Sequence, residues 1–249
     1  MKIKMNRIFL FFISCFFCCS SLIAQQEQEQ EQETKKRDSI FYKERYGLML
    51  GTDLYKLSRN FYDDDYTGFE INGDFRFTKK LWFSGEIGFE ETSFEEVYID
   101  NSTSGSYIKL GGIYNFYDNW LGMDNILFGG FRVGFSTFSQ DLNSYRITVR
   151  DNYFEPDIRE ISRSFSNLNA VWTEFQGGIR VEVLKNLFLG AHVQLKVMVS
   201  QSELSNFENL YVPGFNRTYT DSRIGAGFGY SIRYLIPIFS KQRAQAVDY

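Results

Sequence analysis

The sequence predicts an all-β chain: an eight-stranded antiparallel up-and-down transmembrane β-barrel. Three observations carry that reading. Apolar side chains recur at every second position in eight separate runs. The connections between the runs alternate short and long. The N-terminus carries a basic, then apolar segment of the kind that directs export. Side chains of a strand point to alternate faces, so a period of two makes one apolar and one polar face.

Lys2, Lys4 and Arg7 precede the apolar run from Ile8 to Phe17, and Ala24 offers a small residue for cleavage. Residues 1–24 therefore read as a secretory signal peptide. Cys15, Cys18 and Cys19 fall inside it but lack the Leu-small-small-Cys context of a lipid-modified cysteine. They are the only cysteines, so the exported part from Gln25 has no disulfide to rely on. Removing the segment takes three of 27 Lys+Arg and none of 31 Asp+Glu, which leaves a net charge of −7. That balance argues against a nucleic-acid partner. Mean hydropathy is only −0.30, but a barrel escapes such averages because alternate residues alone face lipid. Residues 25–41 are low-complexity and charged and are expected to form a flexible periplasmic tail. The barrel is expected over 42–239 and a periplasmic C-terminal tail over 240–249.

The first strand is expected near Arg45–Tyr55, with Tyr46, Leu48, Leu50 and Leu54 on the apolar face. The second, near Tyr66–Phe77, puts Phe69, Ile71, Phe75 and Phe77 outward and Glu70, Asn72, Asp74 and Arg76 inward. After the turn Thr78–Lys80, the third strand turns Leu81, Phe83, Ile87 and Phe89 outward and Glu86 and Glu90 inward. The fourth, Tyr107–Phe116, and the fifth, Ile126–Thr137, repeat the pattern, with Arg132 inward. The sixth and seventh form the clearest hairpin, Asn169–Val199. Its odd positions are apolar or small, and its even ones include Trp172, Glu174, Gln176, Arg180, Glu182, His192, Gln194 and Lys196. A three-residue turn, Leu184–Asn186, keeps Val183 and Leu187 on one face. The eighth strand, Arg223–Ile236, places Arg223 and Arg233 inward.

Each run matches the ~9–11 tilted residues that cross a hydrocarbon core. Thr78–Lys80, Tyr117–Asn125 and Leu184–Asn186 are short; Lys56–Asp65, Glu91–Ser106, Phe138–Leu168 and Ser200–Ser222 are long. All short turns fall at one end and all long loops at the other, as in outer-membrane barrels with periplasmic turns and termini. A soluble eight-stranded barrel would alternate too, with its apolar face inside. Here the polar face carries many glycines among Arg, Glu and Gln, which suits a narrow packed lumen. Tyr46, Tyr114, Tyr117, Trp120 and Tyr234 gather at strand ends, as a lipid interface would have them.

The stretches GSYIKLGGIYNFYDNWLGMDN, FRVGFSTFSQDLNSY, VEVLKNLFLGAHVQL and NFENLYVPGFNRTY include loop and turn residues as well as alternation. Through them most of the chain resembles an uncharacterised family of small outer-membrane β-barrels from Bacteroidetes-type bacteria. The resemblance implies fold and location. It transfers no catalytic or binding residue.

Few residues point to chemistry. His192 sits mid-strand on the inward face with no nucleophile near it in sequence, and reads as a neutral histidine in a polar lumen. One histidine and no exported cysteine give no zinc set, and no cofactor is expected. Asp63, Asp64 and Asp65, with Glu95 and Glu96, lie in two outer loops where free carboxylates could bridge a divalent cation to lipopolysaccharide. The informative set faces inward: Glu70, Asp74, Arg76, Glu86, Lys109, Arg132, Glu174, Arg180, Glu182, Lys196, Arg223 and Arg233. Charges in so narrow a space must pair or hold water. The near balance of signs predicts a salt-bridged, largely closed lumen. The expected function is a non-enzymatic structural or surface-interaction scaffold in the outer membrane of a Gram-negative bacterium, as a monomer. Its partners would be membrane lipid, lipopolysaccharide and a macromolecule reached by the loops or the N-terminal tail. A narrow channel for water or small ions is the first alternative and a lipid-modifying enzyme the second.

Overall fold

Alternation in the sequence becomes a closed ring of strands in the computed structural model, which describes residues 39–96, 99–119, 123–147, 157–205, 207–219 and 222–246. The expected signal peptide, most of the expected N-terminal tail and Trp120 lie outside them. The elements are β1 (Ser39–Asp53), α1 (Leu54–Arg59), β2 (Tyr66–Arg76), β3 (Leu81–Glu96), β4 (Ile99–Asn115) and β5 (Ile126–Ile147). There follow β6 (Asp157–Leu184), β7 (Leu187–Gln201), the two-residue strands β8 (Tyr211–Val212) and β9 (Asn216–Arg217), and β10 (Ile224–Ala246). Eight of them close a barrel in the order β1-β10-β7-β6-β5-β4-β3-β2; β8 and β9 form a small sheet of their own. Arg45–Ser240 make up the barrel unit, and residues 39–44 and 241–246 belong to a second unit of extended chain.

The outer face is apolar. Phe69, Ile71, Phe83, Leu110, Phe131, Phe175, Val193 and Phe228 are all exposed, while the alternate positions Glu70, Asp74, Glu86, Lys109, Arg132, Glu174 and Lys196 are buried. A barrel dry outside and charged within is the reverse of a soluble one, and only a bilayer satisfies such an exterior. The register of the Asn169–Val199 hairpin follows the expected one, with Val181 opposite Leu189 and Glu174 opposite Lys196. At its turn Leu184 pairs directly with Leu187, a bulge falls at Val183, and Asn186 takes φ 66°. The loop proper is Lys185–Asn186 rather than the expected three residues, Val183 does not pair with Leu187, and the bulge restores the expected register beyond it.

Three expectations need correction. The long connections at 91–106 and 138–168 are mostly strand. β3 and β4 pair out to Glu96 and Ile99, and β5 and β6 pair out to Ile147 and Asp157. Outside a membrane, ladder hydrogen bonds need no apolar alternation, so polar sequence extends a hairpin already started. Tyr46 is buried between Phe239 and Arg76 instead of facing lipid. Leu54 opens α1, since the Asp53 carboxylate caps the helix by accepting from Lys56 N at 2.9 Å.

The interior is layered. Toward the turn end, Met49, Trp82, Ile113, Ile126, Phe128, Phe188 and Leu235 form an apolar layer. Toward the hairpin end, Tyr107, Phe138, Leu168, Trp172, Met198, Val212 and Phe215 form another. The alternation predicts a charged, glycine-rich inward face and places only Trp172 of these apolar residues on it, so the layers themselves are additions. Bulky inward chains lie over glycines of the next strand: Gly134 stands opposite Trp172 and Gly111 opposite Arg132. A Cβ at either glycine would run into that neighbour, so absent side chains make the room for large ones.

Candidate functional site: the lumen and its outer mouth

Between the apolar layers the charges stack in tiers. In the first, Asp74 on β2 receives Arg180 at 2.8 Å and also Arg233, which lies 159 residues away in sequence. In the next, Arg132 sits between Glu86 and Glu174 and bonds both. Lys109 joins them, 3.0 Å from Glu86 and 3.8 Å from Glu174. The register explains this tier, because β3–β4 pairing sets Glu86 opposite Lys109 and β5–β6 pairing sets Arg132 opposite Glu174. These side chains are almost wholly shielded, so each needs the other: a lone buried charge costs several kcal/mol.

At the turn end Arg45 bridges Asp124 at 2.7 Å and Glu182 at 2.6 Å, with Arg76 3.4 Å from Asp124. Burial pushes the Asp124 carboxyl above its usual range despite its bond to Arg45. Arg45 and Asp124 were not among the inward charges expected. Asp124 lies in a turn, where no alternation marks it.

At the hairpin end the surprise is Lys56 of α1, which turns into the barrel and pairs with Glu70 at 2.7 Å and Glu90 at 2.8 Å. Burial alone would lower its pKa, but Glu70 and Glu90 outweigh that and hold it well above the ordinary value of 10.5. Glu90 also accepts from Tyr211 Oη and Gly214 N, both at 2.8 Å. Residues 207–219 thus fold back over the mouth as a cap, with Phe215 buried against Trp172. Lys196 stands opposite Glu174 in register, yet its ammonium donates to Gly214 O at 2.9 Å and Phe215 O at 3.3 Å. A lining periodicity in a strand can be read from sequence; a lysine dropping in from a helix cannot.

Of the inward set, Arg223 is the exception. It precedes β10 and is exposed, because the strand's inward alternation starts one residue too late to hold it. In the loops expected to face outward, Asp63 is engaged by Arg59 at 2.7 Å, and Asp64 and Asp65 are exposed. The Glu95 and Glu96 side chains lie outside the described residues. Among the described residues no three His, Cys, Asp or Glu side chains gather as a cation site. His192 is buried beside Asp53: a Cβ on Gly229 would stand 2.6 Å from Asp53 Oδ2 and 3.0 Å from His192 Nε2.

A family model described as a domain of unknown function, DUF6048, matches residues 8–241. The chain belongs to the DUF6048 family. Among solved structures, the DUF6048 chain is similar to Ail, the attachment invasion locus protein of Yersinia pestis, at 12% identity and a TM-score of 0.37, over 77% of this chain and 97% of that one. It is similar also to Neisserial surface protein A, NspA, at 10% identity and a TM-score of 0.37, over 80% of this chain and 99% of that one. No curated protein matches the DUF6048 sequence.

Proposed function

We propose that this barrel is a closed-lumen, non-enzymatic scaffold of the outer membrane of a Gram-negative bacterium of the Bacteroidetes type. In this reading both termini and the short turns face the periplasm, and the long hairpins face outward. The observation that carries it is the tier of Arg132, Glu86, Glu174 and Lys109 across the middle of the lumen. Apolar layers lie on both sides of it, so an ion would have to break buried pairs and pass two dry zones. Past the apolar belt, β5 and β6 continue for about 40 Å at the usual rise of a strand. That leaves a tall polar surface for lipopolysaccharide or an extracellular macromolecule.

Planar-bilayer recording of the refolded protein tests the closed lumen. No steady current is expected. Stable, ion-selective conductance would put the narrow-channel reading first.

A further inference from the structure

The barrel wall is incomplete at one place. β1 ends at Asp53, where α1 begins, whereas β2 reaches up to Tyr66 and β10 to Ile224. Thr52, opposite Ile71, ends the β1–β2 register, so residues 66–70 rise past β1 on one side. Gly51 lies against Ile232 and Arg233, so residues 224–230 rise past it on the other. This leaves a notch at the outer rim, and α1 lies in it. The helix is fastened unequally. Toward β2, Asn60 bonds both backbone groups of Gly68, and Thr52 Oγ1 donates to Glu70 O at 2.7 Å. Toward β10 its contacts among the described residues are between side chains: the Tyr55 ring stands 4.8 Å from that of Phe228, and Ser58 Oγ lies 2.9 Å from Tyr230 Oη.

Behind that looser seam is a cavity of about 230 Å³. Phe228, 62% exposed on the outer belt, is among its lining residues together with Tyr55 of α1, so only the α1–β10 seam separates the cavity from the lipid-facing surface there. Its wall there is Gly227. A Cβ at that position would stand only 3.4 Å from Lys196 Nζ. The lining holds five basic side chains against three carboxylates. Lys56 takes Glu70 and Glu90, and Arg59 takes Asp63. Lys196, 97% shielded, forms no ion pair among the described residues and has only two carbonyls for its three hydrogens. An ammonium buried without a counter-ion either gives up its proton or takes an anion.

We propose that the notch is a lateral binding site for an anionic amphiphile. A phosphate-bearing head group enters the cavity and serves Lys196 as counter-ion, while its acyl chain lies on Tyr55, Phe228 and Tyr230. The site is independent of whether the central lumen conducts.

The test uses full-length refolded protein in neutral detergent, with native mass spectrometry after adding short-chain phosphatidylglycerol or phosphatidylcholine of equal chain length. Inorganic phosphate is titrated separately by calorimetry. Phosphatidylglycerol should be retained one to one and about tenfold more tightly than phosphatidylcholine. Lys196→Met should erase that preference, and Tyr55→Ala should weaken the lipid without altering the preference for charge. Gly227→Leu, which fills the cavity, should abolish retention and decides the matter if Lys196→Met does not fold. Equal retention of the two lipids, unchanged in Lys196→Met or Gly227→Leu, overturns the proposal. Inorganic phosphate bound as tightly as phosphatidylglycerol, and unaffected by Tyr55→Ala, overturns the lateral lipid site in favour of a soluble-anion site.

Discussion

The Asn60 carboxamide donates from Nδ2 to the Gly68 carbonyl at 2.9 Å and accepts the Gly68 N–H at 2.8 Å. One side chain so occupies the ladder position that β1 gives up when it turns into α1. A strand edge with unmade hydrogen bonds is costly at a membrane rim, and this pair is the fold's answer there.

Asn60→Ala should free both Gly68 backbone groups at a cost of about 1–3 kcal/mol. The opening should be local. Amide exchange at Gly68 and trypsin cleavage after Arg59 should both speed up while the barrel stays intact on a gel. Unchanged exchange at Gly68 would show that the side chain is not its ladder partner.

The central tier predicts a sharp asymmetry. Arg132→Ala strands Glu86 and Glu174 and should cost on the order of 3–5 kcal/mol, less where water enters. It should also bring brief conducting events that the parent lacks. Combining Arg132→Met with Glu174→Gln, which leaves Glu86 paired with Lys109 at 3.0 Å, should recover most of the stability. Val193→Leu, on the exposed belt, should do neither, because lipid tails accept either side chain. Urea unfolding in detergent, read by the heat-dependent gel shift, measures all three.

Lys56 carries a pH prediction. Its pKa is raised by Glu70 and Glu90 over the opposing effect of burial. A lysine raised in this way lends stability that is complete below its unfolded value near 10.5 and lost as pH climbs through the folded one. Hence α1 should stay seated from neutral pH to about 10, where ordinary lysines begin to titrate. Nitrogen NMR of the side-chain ammonium should find Lys56 charged after surface lysines have lost their protons. Titration together with them would mean that α1 is not held by this pair.

Orientation can be read chemically, since the sequence has no cysteine after Cys19. Asp141→Cys, on the exposed face of β5, should react with a membrane-impermeant maleimide on intact cells. Lys185→Cys, in the β6–β7 turn, should react only after the outer membrane is breached. The opposite pattern would invert the proposed topology.

By itself the sequence determined the faces, the strand number and the hairpin register, because these follow from local spacing. A period of two separates Phe175 from Glu174 whatever the rest of the chain does, and the spacing across the tight turn sets Val181 against Leu189, with a bulge at Val183 making up for the two-residue loop. Tertiary structure decided which charges meet. Arg45 finds Glu182 across 137 residues and Arg233 finds Asp74 across 159. Such partners depend on ring closure and on how far each strand is staggered, and spacing along the chain encodes neither. The fold also decided where strands stop. Polar segments such as 139–147 stay paired because a backbone ladder outside lipid needs no apolar face, while β1 ends early because Asp53 caps a helix. That early end brings Lys56 inside, opens the notch and leaves Lys196 buried behind it.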